Sequence, residues 1–180
     1  MCGRYENSLS SDKIGKRIKE RAEELKLTYS QGEIFPTDEV LCFIPTETSV
    51  DIASMIWGIK TLNLQINARL ESLDDKPMYK KMKNNRCAVI ANGFYEWDKN
   101  KRKYYIKTKE KYVYLACIFN ENNELLILTK EAEDGMKHIH DRMPIIMNKE
   151  EMLNYIHLVD NEISKKELII NDVSEQITLF

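Results

Sequence analysis

Apolar residues recur at helical spacing near the start of the chain. The residues that set this spacing are Ile14, Ile18, Ala22 and Leu25. Charged residues lie between them, so the pattern predicts an amphipathic helix from about Asp12 to Lys26, capped by Ser10 or Ser11.

Two shorter helices are predicted from residues that favour a helix start. Pro77 suits the first turn of a helix that continues over Met78–Lys83, because its fixed φ is already helical. Asn148, with Glu151 three residues later, matches a capping pair for a helix that runs through about His157.

Between the helices lie short segments rich in β-branched and aromatic residues, bounded by polar turns, which predicts strands. These segments are Val40–Ile44, Ile52–Trp57, Ile66–Arg69, Cys87–Ala91, Phe94–Trp97, Lys103–Lys107, Tyr112–Phe119, Leu125–Thr129 and Ile145–Met147, with a further apolar run at Leu168–Ile170. Asn92-Gly93 and Asn122-Asn123 are turn signals, and Tyr29–Pro36 is predicted to be a loop. Many short strands with few helices predict one α+β domain over residues 1–180, with a curved, barrel-like, mostly antiparallel sheet flanked by a few helices.

Charge is unevenly distributed along the 180 residues. The formal net charge is −2, but the segment from Lys76 to Lys111 holds 12 cationic and three acidic residues, a net of +9 that leaves −11 for the remainder. This segment is either a phosphate-facing surface or a solvated hairpin whose lysines provide solubility.

Cysteine spacing and hydropathy indicate the cellular compartment of the protein. Cys2, Cys42, Cys87 and Cys117 show no paired spacing, which argues against a disulfide framework or a zinc knuckle. No apolar run approaches the length of a membrane span and no secretory signal opens the chain. We therefore expect a cytoplasmic protein that is not associated with membranes.

The first residues carry the most distinctive candidate chemistry. Cys2 follows Met1 and is small enough to allow removal of the methionine, which would leave a terminal amine and a thiol on neighbouring carbons. The unperturbed pKa values, about 7.7–8.0 for the amine and about 8.5 for the thiol, leave both groups partly deprotonated near neutral pH. Such a 1,2-aminothiol condenses with an aldehyde, first to a Schiff base and then to a thiazolidine ring. Alternatively, Cys2 is an ordinary small apolar residue.

Three further clusters contain candidate site residues: Asn67-Ala68-Arg69-Leu70-Glu71, Gly93-Phe94-Tyr95-Glu96-Trp97, and His138 with His140-Asp141-Arg142-Met143-Pro144. Burial among aromatic rings would raise the pKa of Glu96 and suit it to acid–base work. Each cluster also has a purely structural interpretation, with Glu96 as an edge-strand charge, Asn67 as a turn former and His140 as a loop residue paired with Asp141. His138 and His140 lack a third ligand at a recognisable spacing, so neither a metal nor another cofactor is expected.

Taken in order, the four blocks resemble the SOS-response-associated peptidase (SRAP) family of abasic-site processing proteins. The blocks are Cys2-Gly3-Arg4-Tyr5, Asn67-Ala68-Arg69 with Glu71, Gly93-Phe94-Tyr95-Glu96-Trp97 and His140-Asp141-Arg142-Met143-Pro144, and the resemblance extends to about Met147. It implies a single α+β domain that covalently captures abasic sites in single-stranded DNA during the DNA-damage response. We expect the protein to be a monomer.

The resemblance also implies a role for each matched residue. Cys2 would form the crosslink, after the protein has removed its own Met1. Asn67 would orient the sugar or the amine, Glu96 would act as the acid–base group in Schiff-base chemistry, and His140 would assist later proton transfers. The phosphates that flank the abasic site would be held by Arg4, Arg69 and Arg142.

The chain departs from the family pattern in three places. Glu33-Ile34-Phe35-Pro36 stands where the family has Asn-x-Ala-Pro, and the segment Ile59–Ile66 is shorter than its family counterpart and lacks aromatic residues. The usual Gly-Pro-Glu-like ending is also missing. These departures affect base stacking rather than the covalent chemistry.

Two other classes of function remain open at this point. An N-terminal-cysteine amidohydrolase of the glutaminase type also begins with a processed Cys-Gly, and would attack an amide through its thiol. A non-enzymatic single-strand-binding module would use the basic segment, with Tyr104, Tyr105 and Tyr112 as stacking platforms.

Overall fold

The computed structural model of the protein describes residues 2–133, 135–159 and 162–174. In chain order its elements are β1 (Arg4–Asn7), α1 (Lys13–Glu24), β2 (Gly32–Ile34), β3 (Glu39–Pro45), β4 (Val50–Trp57), β5 (Ile59–Lys60), β6 (Leu64–Gln65), β7 (Asn67–Arg69), a 3₁₀ turn (Leu70–Ser72), α2 (Pro77–Met82), β8 (Arg86–Ala91), β9 (Gly93–Trp97), β10 (Lys103–Lys107), β11 (Val113–Phe119), β12 (Glu124–Glu131), β13 (Arg142–Pro144), β14 (Ile146–Met147), α3 (Lys149–Ile156) and β15 (Ile169–Asp172).

Most of these strands belong to two sheets. The larger has the order β13-β12-β4-β3-β8-β11-β14, and a second pairing of β11 with β12 closes its five central strands into a ring. Strand β7 joins the ring through a parallel pairing with β12. The smaller sheet has the order β15-β10-β9-β1-β2 and is antiparallel throughout. The predicted α+β class with a curved, mostly antiparallel sheet is confirmed.

The core has two parts, one on each face of the ring. Alternation along β8 sends Cys87 and Val89 toward one part and Ala88 and Ile90 toward the other. The first part contains the inward side chains of the five-stranded sheet, and the second contains the apolar faces of α1, α2 and α3. The ring is therefore covered by a sheet on one side and by helices on the other.

The start of α1 differs from the prediction. Its N-cap is Asp12, whose side chain accepts a hydrogen bond from the Gly15 N–H, and Ser10 instead donates its hydroxyl to Asp12. Asp and Ser are about equally favoured as N-caps, and Asp12 takes this position because the helix begins at the next residue, Lys13. At α3 the predicted capping box between Asn148 and Glu151 is confirmed in both directions.

Two predicted turns and loops also differ. Tyr29–Pro36 is not all loop, because Gly32–Ile34 pairs with β1 as an edge strand. Asn92-Gly93 does not close a hairpin, since β8 and β9 belong to different sheets and Gly93 is already part of β9. Asn92 fixes this crossing by accepting from the Ser8 N–H and donating to the Lys111 carbonyl.

Candidate active site

Cys2 lies directly before β1, completely buried on the side of the ring that faces the smaller sheet. Its carbonyl accepts a hydrogen bond of 2.9 Å from the Asn67 side-chain amide. The second polar atom of the Asn67 side chain, Oδ1, is buried and has no hydrogen-bond partner among the described residues. Because β7 is held in place by β12, Asn67 ties the N-terminus to the ring and keeps one acceptor available in the site.

Glu96 is the second buried polar residue at this position, with 4% of its surface exposed. It lies on β9 between β1 and β10, and the Trp97 N–H donates to its Oε1 at 3.3 Å. Its charge is close enough to Cys2 to influence that thiol's titration. The structure therefore brings together Cys2, Asn67 and Glu96 from three distant parts of the sequence.

The surroundings of Cys2 set the titration of its thiol in the chain that still carries Met1. Burial raises its pKa well above the ordinary value, and the negative charge of Glu96 raises it further. Both effects penalise the thiolate, since it would be a desolvated anion beside another anion. With Met1 still attached, the thiol is therefore protonated at neutral pH. Met1 itself lies outside the described residues.

His140 lies on the loop before β13 with 28% of its side chain exposed. Its Nδ1 is 3.0 Å from the Arg142 backbone nitrogen and 2.8 Å from the Asp141 carboxylate. These contacts exclude one another, because a protonated Nδ1 cannot accept. We assign the contact with Arg142, since a backbone N–H can only donate whereas the Asp141 side chain is 85% exposed to water. The neutral ring then carries its proton on Nε2.

Arg142 differs from the other predicted phosphate ligands because it is buried. Its guanidinium forms two bonds to the Glu71 carboxylate, at 2.7 and 3.0 Å, and one of 2.8 Å to the Thr129 carbonyl. These bonds also lower the pKa of Glu71. This bidentate ion pair, together with the bond to Thr129, fixes the 3₁₀ turn after β7 against β12. The geometry favours a supporting role for Arg142 over direct phosphate binding.

Arg69 and Arg4 are more accessible. Arg69 is exposed at the end of β7, opposite Thr129 on β12. It lines a pocket together with Glu131, Lys137, Asp141 and Arg142. Arg4 is half-buried, forms an ion pair of 3.0 Å with Glu33, and lies over the Phe35 ring at 4.3 Å. Both guanidinium groups can be reached from solvent near the buried cluster.

The basic segment does not form one surface. Its first part lies on α2, whose Tyr79 and Met82 pack on the helix side of the ring, and its second part lies on the β9–β10 hairpin of the smaller sheet. Two of the three suggested stacking tyrosines are buried, Tyr104 in the core and Tyr112 with its hydroxyl bound to Ser10. Only Tyr105 of that trio is on the outer face.

Sequence reasoning missed the acidic partners of the arginines. Glu33 belongs to a strand that was predicted to be loop, and Glu71 is recognisable only once β7 and β12 are adjacent. Within residues 2–133, 135–159 and 162–174, no three His, Cys, Asp or Glu side chains are arranged to hold a metal ion. No helix in the same ranges is both long and apolar enough to cross a membrane.

Comparison with known proteins gives consistent results. The family model described as "SOS response associated peptidase (SRAP)" matches residues 1–179. Abasic site processing protein YobE of Bacillus subtilis is 31% identical over 146 residues, which cover 67% of this chain and 67% of YobE. Abasic site processing protein YedK of Escherichia coli is 26% identical over 188 residues, covering 93% of this chain and 83% of YedK.

Solved structures show the same fold. A crystal structure of a protein from Bordetella bronchiseptica aligns with a TM-score of 0.73 at 14% identity, covering 97% of this chain and 100% of that one. A second, from Bacteroides thetaiotaomicron, aligns with a TM-score of 0.67 at 19% identity, covering 86% and 81%. Given the match over nearly its whole length, the chain belongs to the SOS response associated peptidase (SRAP) family.

Proposed function

We propose that this protein captures abasic sites in single-stranded DNA by forming a covalent bond through Cys2. The observation that carries the proposal is the convergence of Cys2, Asn67 and Glu96 in one buried cluster at the N-terminus. Relatives named abasic site processing proteins support the choice of substrate.

Capture proceeds through two bond-forming steps. After Met1 is removed, the Cys2 amine attacks the aldehyde of the ring-opened sugar, and loss of one water gives a Schiff base. The thiol then adds across the C=N bond, so that sulfur bonds to carbon and the thiol proton ends on nitrogen. The product is a thiazolidine, and the whole reaction releases one water molecule.

The protonation of the thiol sets the order of these steps. In the chain that still carries Met1, burial raises the pKa of the Cys2 thiol. If the thiol stays buried after Met1 is removed, it is a weak nucleophile, so the amine reacts first. Such a thiol also disfavours an amidohydrolase, because attack on an amide requires a thiolate.

Glu96 and Asn67 have separate tasks in this scheme. Glu96, buried beside Cys2, takes up the proton of the Cys2 ammonium, passes it to the sugar oxygen as the ring opens, and moves protons while the carbinolamine dehydrates. Asn67 holds the Cys2 carbonyl with its amide and offers Oδ1 to the sugar or to the new amine. The acceptor on Asn67 orients the nucleophile and the carboxyl group supplies the protons.

The remaining residues lie at the edge of the cluster. His140, with its proton on Nε2, serves proton transfers during ring closure or reversal. Arg4 and Arg69 hold phosphates, and Arg142 positions the turn that follows Arg69 through its bonds to Glu71. We also propose that the protein removes its own Met1, which exposes the Cys2 amine that capture requires.

A denaturing gel tests the proposal. The mature protein is mixed with a single-stranded oligonucleotide in which one uracil has been removed by a glycosylase, and then heated in detergent. We expect a heat-stable adduct for the wild type and for Cys42→Ala, which alters another buried cysteine. Cys2→Ser should yield only a Schiff base that borohydride can trap. A heat-stable adduct in Cys2→Ala, or none in wild-type protein that lacks Met1, would refute the proposal.

A further inference from the structure

The outer face of the five-stranded sheet carries aromatic rings and cations at neighbouring positions. On β9, Tyr95 and Trp97 point away from the core, since Phe94 and Glu96, which alternate with them along the strand, are buried. Across the ladders, Tyr105 is paired with Tyr95, and Lys103 with Trp97. We call the face formed by Tyr95, Trp97, Tyr105, Arg4 and Lys103 the aromatic strip.

Gly93 allows the Tyr105 ring to lie flat on the sheet. A Cβ added at Gly93 would come within 2.8–2.9 Å of two Tyr105 ring atoms, so the ring lies directly over the bare backbone. Its burial raises the pKa of Tyr105 to about 12. The neighbouring Tyr95 ring is 5.0 Å away, centroid to centroid, at 40°. Tyr105 is thereby held in one orientation, with little conformational entropy left to lose when a ligand stacks on it.

The cations of the strip are also fixed before any ligand arrives. Lys103 Nζ lies 4.2 Å from the Tyr95 centroid, and the Arg4 guanidinium lies 5.2 Å from that of Trp97. Both are hydrogen-bonded to the same oxygen of Glu33, at 2.8 and 3.0 Å. Partial burial would raise the pKa of Glu33, but the bonds from Lys103 and Arg4 outweigh it and lower the pKa, so the carboxylate is ionised at neutral pH.

We propose that the aromatic strip binds a stretch of single-stranded DNA next to the nucleotide held at Cys2. The inference rests on the proposed function and extends it to the flanking strand. Arg4 belongs to both regions, because it is two residues from Cys2 and contacts the strip. The fixed Tyr105 ring, with cations held over the neighbouring Tyr95 and Trp97 rings, matches a strand whose bases are unstacked and whose phosphates are accessible. A duplex hides its base faces and fits this surface poorly.

Glu33 gives the proposal a distinctive consequence. Its carboxylate holds Arg4 and Lys103 in the place where a phosphate would sit, and an incoming phosphate must displace it. Glu33→Gln removes the competing charge with almost no change of shape, so it should strengthen strand binding. A purely structural ion pair predicts the opposite or no effect on binding.

The test compares a short and a long abasic single strand. The short strand, about five nucleotides, reaches only the Cys2 site, and the long strand of about 20 nucleotides also covers the strip, judged from typical spans of 4–16 nucleotides for one binding fold. Tyr105→Leu keeps an apolar side chain over Gly93 but removes the ring. Its matched control is Tyr29→Leu, a half-buried tyrosine that packs on the helix side of the ring.

We expect Tyr105→Leu to weaken equilibrium binding of the long strand by roughly 5- to 150-fold, the worth of one lost base–aromatic stack. Its crosslinking rate with the short strand should equal that of the wild type, and Tyr29→Leu should change neither. Lys103→Gln should weaken the long strand, whereas Lys80→Gln on α2 should not. Glu33→Gln should bind the long strand more tightly.

The contrary results are equally specific. Wild-type affinity for the long strand in both Tyr105→Leu and Lys103→Gln, with crosslinking intact, overturns the strip and leaves the proposed function standing. Tighter binding of an undamaged duplex than of the same single strand also overturns it. If the wild type crosslinks neither strand, the proposed function fails, and binding of undamaged single strands still decides the strip.

Discussion

The two faces of the five-stranded sheet differ in what they offer a substrate. The inner face buries Glu96 beside Cys2, where a carboxyl group is shielded from water. The outer face presents Tyr95 and Trp97 from the same strand, with cations above their rings. Because side chains alternate along a strand, one five-residue segment supplies an acid–base group to one side and a binding surface to the other. Chemistry and recognition can therefore be disrupted separately.

The largest effect should come from the inner face. Glu96→Gln keeps the shape of the side chain but cannot transfer a proton, so single-turnover crosslinking should slow by about 10²–10⁴-fold. Affinity for single-stranded DNA should stay close to wild type, because no cation is lost. Glu110→Gln, an exposed residue, is the control. Crosslinking at the wild-type rate between pH 5 and 8 would show that Glu96 is structural.

A smaller loss is expected when the tie between Asn67 and Cys2 is broken. Asn67→Asp replaces the donor to the Cys2 carbonyl with an acceptor, leaving a buried carbonyl unsatisfied at a cost of about 1–3 kcal/mol. If this whole cost is added to the activation free energy of crosslinking, the reaction slows roughly 5- to 150-fold. Crosslinking rates from quench-flow, measured together with thermal unfolding, would distinguish a misplaced Cys2 from a destabilised protein. Asn122→Asp, on an exposed turn, serves as the control, and equal rates for the two variants would contradict the positioning role.

Acid should loosen the segment that leads into β15. Burial would raise the pKa of Glu151, but hydrogen bonds from Lys166 and Ser164 prevail and lower it to about 2. Because the folded-state pKa is depressed, this stabilisation is present above about pH 4.5 and is lost as pH falls toward 2. Glu151 thus anchors the segment that leads into β15.

Glu151→Gln tests that anchor. The variant should lose up to about 3 kcal/mol of unfolding free energy at pH 7, with the difference from wild type shrinking to nothing near pH 2. Urea unfolding at several pH values measures it, with Glu150→Gln one residue away as the control. A gap that does not change between pH 7 and pH 2 would show that charge is not the cause.

The smallest expected effect is a difference between Arg69 and Arg142, the two arginines near β12. Arg69→Gln should reduce the slope of log K against log salt for single-stranded DNA by about 0.7, the contribution of one phosphate contact. Arg142→Gln should leave the slope unchanged while lowering stability, because its guanidinium is already bonded to Glu71 and Thr129. Salt titrations by fluorescence anisotropy test this difference. A reduced slope in Arg142→Gln would restore its role as a phosphate ligand.

Much of the fold could be predicted from periodicity, since long strands such as β3, β4 and β12 follow clear apolar patterns. Short edge strands could not: β2 has three residues and is defined by its pairing with β1 rather than by its composition. Asn92-Gly93 correctly predicted that the chain turns after β8, but not that β9 pairs in the other sheet. The sheet that β9 joins is set by tertiary contacts, which the local sequence does not reveal.

The site was predictable as a set of residues but not as an arrangement. The blocks around Cys2, Asn67 and Glu96 were found from the sequence, and the structure brings them together. Glu96 was expected among Tyr95 and Trp97, yet strand alternation places those rings on the opposite face. Arg142 was expected at a phosphate, and its burial with Glu71 depends on two strands that are far apart in sequence. The titration of Cys2 likewise depends on burial that a terminal position does not suggest.

The most direct test of covalent capture is the intact mass of the product formed by wild-type protein and a single-stranded abasic oligonucleotide. We expect the sum of the two masses, less Met1 and less one water, with the modification mapped to both the amine and the sulfur of Cys2. The adduct should persist without borohydride. A product that retains Met1, carries the modification on another residue, or forms only when a reductant is present would contradict it.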